Sequence, residues 1–106
     1  MQLDSNSVAW AAGLYEGEGS VFHSKPSNAF VLTVQMTDVD VVKRFAQIFD
    51  THIYGPHRIS GRGGRKSRYD ARTGALGRVQ TIIGAMWPYL GTRRRAQAKR
   101  VLQEAV

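Results

Sequence analysis

The chain predicts an α+β domain in which four strands form one layer, helices cover one face of it, and the other face stays open. Three observations carry that expectation. Residues 29–36 alternate with the period of a pleated strand, and residues 39–49 and 74–89 repeat apolar side chains at helical spacing. Turn-forming residues separate these runs in the order helix, strand, strand, helix, strand, strand, helix, helix. At 106 residues, with no internal repeat or linker, the expectation is one domain with a modest core.

The elements follow in order. Ser5, Asn6 or Ser7 can cap a first helix that runs to about Gly17. Ser20 to Ser24 reads as a strand, and Lys25-Pro26-Ser27-Asn28 as a turn. Ala29 to Met36 is the clearest strand. Its residues Phe30, Leu32, Val34 and Met36 share a core-facing side, while Val31, Thr33 and Gln35 share a more polar side available for contacts. Thr37 or Asp38 can cap a helix over about 39–49, with Val41, Val42, Phe45, Ile48 and Phe49 as its buried stripe. Ile53 to Ile59 reads as an interrupted strand, Gly61 to Lys66 as a flexible basic tip, and Ser67 to Arg72 as the returning strand. A helix from about Gly74 to Tyr89 buries Leu76, Val79, Ile82, Ile83 and Met86, with Pro88 ending or distorting it. Thr92 can cap a last helix to Glu104, with Ala96, Val101, Leu102 and Ala105 as its apolar contacts.

Charge points to a polyanionic partner. The formal net charge is +7, and between Arg58 and Arg100 the only acid is Asp70. Arginine dominates that interval, which suits planar contacts to phosphate and guanine. Candidates for nucleic-acid contact are Lys25, Asn28, Arg58, Arg62, Arg65, Lys66, Arg68 and Arg72, at strand ends or on the open sheet face. Cysteine is absent, which excludes disulfides and thiolate metal sites. The start lacks the blocks of a secretion signal, and no apolar run reaches the roughly 20 residues that span a bilayer, so an intracellular protein is expected.

The segment Trp10 to Ser20 is the most informative. Gly13 and Gly17 lie four residues apart and share one helix face, with Ala9 and Ala12 nearby. A face without bulk lets two helices approach closely, so Ala9, Ala12, Gly13, Glu16 and Gly17 are candidates for an interface between two copies. Glu16 and Glu18 sit where the helix end already carries partial negative charge. Paired copies would bring such acids together, and a divalent cation is the natural compensation. A solvated Glu-Gly-Glu-Gly turn is the alternative. His23, His52 and His57 lack metal-ligand spacing and read as ordinary polar residues.

Ala11-Ala12-Gly13-Leu14-Tyr15-Glu16-Gly17-Glu18-Gly19 resembles the nine-residue motif of the LAGLIDADG homing endonucleases. Leu32 to Thr37 resembles that family's second strand, and Trp87-Pro88-Tyr89-Leu90 through Gln97-Ala98 resembles its closing segment. The resemblance spans essentially the whole chain. It implies an αββαββα core with a four-stranded antiparallel sheet, here with an extra C-terminal helix. It also implies a homodimer that hydrolyses double-stranded DNA with Mg²⁺ at a palindromic or nearly palindromic target.

By the same resemblance Glu18, beside Gly17, holds the metal, Glu16 is a structural helix-end group, and Gln35 positions water. The basic residue of the site is Arg94 when counted back from Gln97 and Arg93 when counted forward from Pro88. Glutamate replaces the motif's aspartate at both acids, lengthening the reach to metal. Arginine stands where lysine is common, and it stays protonated, so it can offset phosphate charge but is a poor proton shuttle. Two other readings remain: a non-catalytic DNA- or RNA-binding module on the same scaffold, and a small helix-turn-helix protein built on 38–49.

Overall fold

A computed structural model describes residue 1, residues 3–58 and residues 67–105. Helix α1 (Ser5–Glu18) leads into strands β1 (Gly19–Ser24) and β2 (Ala29–Met36), then α2 (Val39–Phe49). Strands β3 (His52–Arg58) and β4 (Ser67–Thr73) follow, then α3 (Leu76–Met86), a 3-10 turn (Trp87–Tyr89) and α4 (Thr92–Gln103). The strands form one antiparallel four-stranded sheet in the order β1-β2-β4-β3. The expected element order and fold class hold.

The core lies between the sheet and the helices. Leu32 and Val34 of β2, Val21 of β1 and Ala71 of β4 meet Tyr15, Phe45, Phe49, Ile82 and Met86 from the helices, all essentially buried. The other side of β2 departs from expectation, because Val31 and Thr33 are also buried. Phe22 stands beside Val31 in register, and Arg72 beside Thr33, so larger side chains on the flanking strands shelter the small ones between them. The shelter narrows the polar surface of β2 on the open face to Gln35.

Several boundaries moved for identifiable reasons. Asp4, not a serine, caps α1, its carboxylate accepting from the Ser7 amide at 3.0 Å. The helix runs through Gly17 to Glu18, and Gly19 follows in extended backbone with φ −91°. Gly19 is therefore no left-handed cap; a Cβ there would lie 2.1 Å from Cδ2 of Tyr15, whose ring lies against the bare backbone. Pro88 sits in the tight turn that ends α3, since it cannot donate the next helical bond. Gly91, not Thr92, caps α4, and Ala98, Val101 and Arg94 are buried while Ala96 is exposed.

The edge strand β3 is exposed along its length, and its pairing with β4 slips between Tyr54 and His57. Gly55 takes φ +125°, and a Cβ there would meet the Arg68 carbonyl oxygen at 2.8 Å, so only glycine fits. Among the described residues no helix is long and apolar enough to cross a membrane.

Candidate active site and nucleic-acid interface

Helix α1 ends with Glu18 exposed at the mouth of the sheet. Gly19, next to Glu18, pairs with Val34, next to Gln35, which brings the end of α1 to the end of β2. Gln35 is half-buried and has Asp70 on its other side. Arg94 approaches the same turn from α4. Its Nε donates to the Glu16 carbonyl oxygen at 3.2 Å, and its Nη1 donates to Gln97 Oε1 at 3.0 Å. The carbonyls in the last turn of a helix lack partners within it, and Arg94 supplies one. The guanidinium also lies 5.5 Å from the centre of the Tyr15 ring. Arg93, one residue earlier, is exposed.

Tyr15 is wholly buried behind this turn, and its hydroxyl has no hydrogen-bond partner among the described residues. Burial pushes its pKa up to about 12, only partly opposed by the positive charge of Arg94. The Glu16 carboxylate accepts from the Gly91 amide at the start of α4. That contact places a negative group at a helix N-terminus and ties α4 to α1.

The outward side of α1 is bare. Ala9, Gly13 and Gly17 are exposed, and a Cβ at either glycine would meet open space. Ala12 does not share that side: it is fully buried in the protein's own core, one residue of helical rotation away. Its small size serves packing within one copy, which corrects the expectation that it lies between two copies. Among the described residues no three His, Asp or Glu side chains converge as a metal site.

Three comparisons bear on this arrangement. No family model matches the chain, and no curated protein sequence matches it. Solved structures do. The homing endonuclease I-CvuI, bound to its target, superposes with a TM-score of 0.70 over 92% of this chain at 20% identity. The group I intron-encoded homing endonuclease I-CeuI, bound to DNA, gives 0.63 over 96% at 19% identity. The homing endonuclease I-TnaI gives 0.67 over 91% at 14% identity. The chain spans 64%, 53% and 69% of those three chains in turn. The fold is that of the LAGLIDADG homing endonucleases.

On this LAGLIDADG scaffold the face of the sheet away from the helices carries Arg68 and Arg72, both exposed, on the same side of β4 as Asp70. Arg58 is exposed at the end of β3, and Lys25 in the turn between β1 and β2. Asn28 in that turn takes φ 54°, and its Oδ1 lies 2.8 Å from Nε2 of His23. The His23 ring stacks on Phe30 and meets Glu104 at 2.6 Å, so the amide oxygen of Asn28 serves the turn. Arg62, Arg65 and Lys66 lie outside the described residues.

Not every arginine of the basic interval is left without a partner inside the chain. Arg78 donates to the Phe49 and Asp50 carbonyls at 3.2 and 2.8 Å, and Arg95 donates to the Trp87 carbonyl at 3.1 Å. Each of these guanidinium groups closes the carbonyl end of a helix or turn. Sequence reasoning also missed the pairing of His57 with Asp70. The lone acid among arginines was its only visible signal, and the slip in β3 hid which histidine answers it.

Proposed function

We propose that the chain forms a homodimer that cleaves both strands of DNA at a specific, near-palindromic site with the help of Mg²⁺. The observation that carries this reading is Glu18, an exposed carboxylate ending a helix whose outward face is stripped to Ala9, Gly13 and Gly17. Two such helices can pack closely, and twofold pairing sets two Glu18 side chains beside one axis. I-CvuI and I-CeuI, which share the fold, are known bound to DNA, and one I-CvuI complex in the presence of Mg²⁺ holds its DNA uncleaved.

The donor set fits a hard cation. Each copy would offer the Glu18 carboxylate and the exposed main chain at Gly17, oxygen donors of the kind that Mg²⁺ takes together with phosphate. When bound, Mg²⁺ activates water and offsets charge on the scissile phosphate. Gln35, near the end of β2, orients the attacking water through its amide. Arg94, fixed by Glu16 and Gln97, faces developing negative charge with a cation that never releases its proton. The open sheet face lies against the major groove, with Arg58, Arg68, Arg72 and Lys25 toward phosphates and bases.

The test is cleavage of the protein's own genomic locus with Mg²⁺. One discrete double-strand cut is expected, abolished in Glu18→Gln while DNA binding persists. Binding without cleavage under any divalent ion would replace this reading with the non-catalytic module.

A further inference from the structure

One hydrogen-bonded pair on the open sheet face takes no part in the site at the end of α1. Asp70 is only 3% exposed although it lies on the side away from the helices, between Arg68 and Arg72. Its register neighbours are Gln35 on β2 and Tyr54 on β3. A carboxylate withdrawn from water needs a partner, and His57 provides it, Nε2 donating to Oδ1 at 2.7 Å. His57 itself stands opposite Arg68, so its ring reaches Asp70 along a diagonal beyond the slip in β3.

This contact decides what the ring can read. An ionised carboxylate only accepts, so Nε2 carries the proton, and in the neutral ring Nδ1 is left as a bare acceptor. The His57 side chain is 44% exposed, and among the described residues Nδ1 has no partner. Phosphate oxygens also only accept, so Nδ1 cannot bind them as the neighbouring arginines can. It suits the exocyclic amino groups that adenine and cytosine present in the major groove.

We infer that His57 is a specificity-determining residue whose Nδ1 selects adenine or cytosine at one position in each half of the target. Asp70 is a positioning residue that fixes the tautomer. Arg68 and Arg72 supply donors to phosphate and guanine, and His57 places one acceptor among them. The inference rests on the DNA-binding reading above.

The test uses the full chain without divalent ions at about pH 8, where an ordinary imidazole is neutral. Wild type, His57→Ala and Asp70→Asn are each used to select from a fully randomised DNA duplex pool. Wild type is expected to favour adenine or cytosine at one position per half-site. His57→Ala, a change at an exposed residue, flattens that preference by about five- to tenfold and leaves the other positions alone. Asp70→Asn can donate to Nε2 and shift the ring proton to Nδ1, so guanine or thymine becomes acceptable there. A His57→Ala profile that superposes on wild type overturns the inference alone. Uniform weakening by Asp70→Asn with unchanged preferences overturns it too, leaving the pair structural. A wild-type protein that enriches no sequence overturns the DNA-binding reading and this inference together.

Discussion

The Nε of Arg94 donates to the main-chain carbonyl of Glu16 at 3.2 Å, joining α4 to the last turn of α1 two residues before the exposed Glu18. The same guanidinium reaches Gln97 at 3.0 Å, so two of its nitrogens are committed to holding it in place. Lysine keeps the charge but has no planar fork to make both contacts. Arg94→Lys is expected to lower the cleavage rate by about a hundredfold while DNA affinity changes little. Single-turnover cleavage beside a binding titration checks it. Arg93→Lys, at an exposed position, should leave the rate nearly unchanged.

Tyr15 gives the fold a pH limit on the alkaline side. Its pKa is raised to about 12 by burial, whereas an unfolded tyrosine ionises near 10. The unfolded chain therefore loses the proton first, and stability falls as pH rises from about 10 to about 12. Two units correspond to about 2–3 kcal/mol. Denaturant unfolding of wild type against Tyr15→Phe isolates the effect: the variant should lack this slope. At neutral pH it should match wild type or exceed it, because it removes a buried hydroxyl with no partner.

Gly19→Ala should destabilise the domain by about 3 kcal/mol. The reason is steric, since a Cβ would lie 2.1 Å from a fully buried tyrosine ring and not from a flexible chain end. Gly17→Ala, one helical position before Glu18, opens onto empty space and should leave the stability of a single copy intact. Thermal melts of the two variants side by side give the answer.

Much of this architecture is legible in the residues. The stripe Val42, Phe45, Ile48, Phe49 fixes a helix because burial there keeps the helical period, and the alternation of residue types in 29–36 marks a strand although Phe30 to Val34 are all buried. Glu18 stands out for a different reason, the glycines on either side of it. The rest depended on neighbours distant in the chain. Ala12 and Ala9 are identical residues, and only packing decides that one is core and the other surface. Arg78, Arg94 and Arg95 read as part of a basic run, yet each donates to a main-chain carbonyl of another element. The burial of Val31 and Thr33 required the strand order, which periodicity does not give.

Gly13→Leu tests the bare face of α1. Gly13 has open space around it, so the side chain is accommodated within one copy and the fold should survive. Two close-packed helices cannot accept that bulk. The variant is expected to keep its circular dichroism spectrum while its self-association weakens at least about tenfold and cleavage falls with it.

The decisive measurement is the mass of the protein in solution at micromolar concentration, by light scattering, under the conditions in which it cuts DNA. Pairing through α1 predicts twice the 11.8 kDa of one chain. A species of one chain's mass that still severs both strands would contradict a shared pair of Glu18 carboxylates.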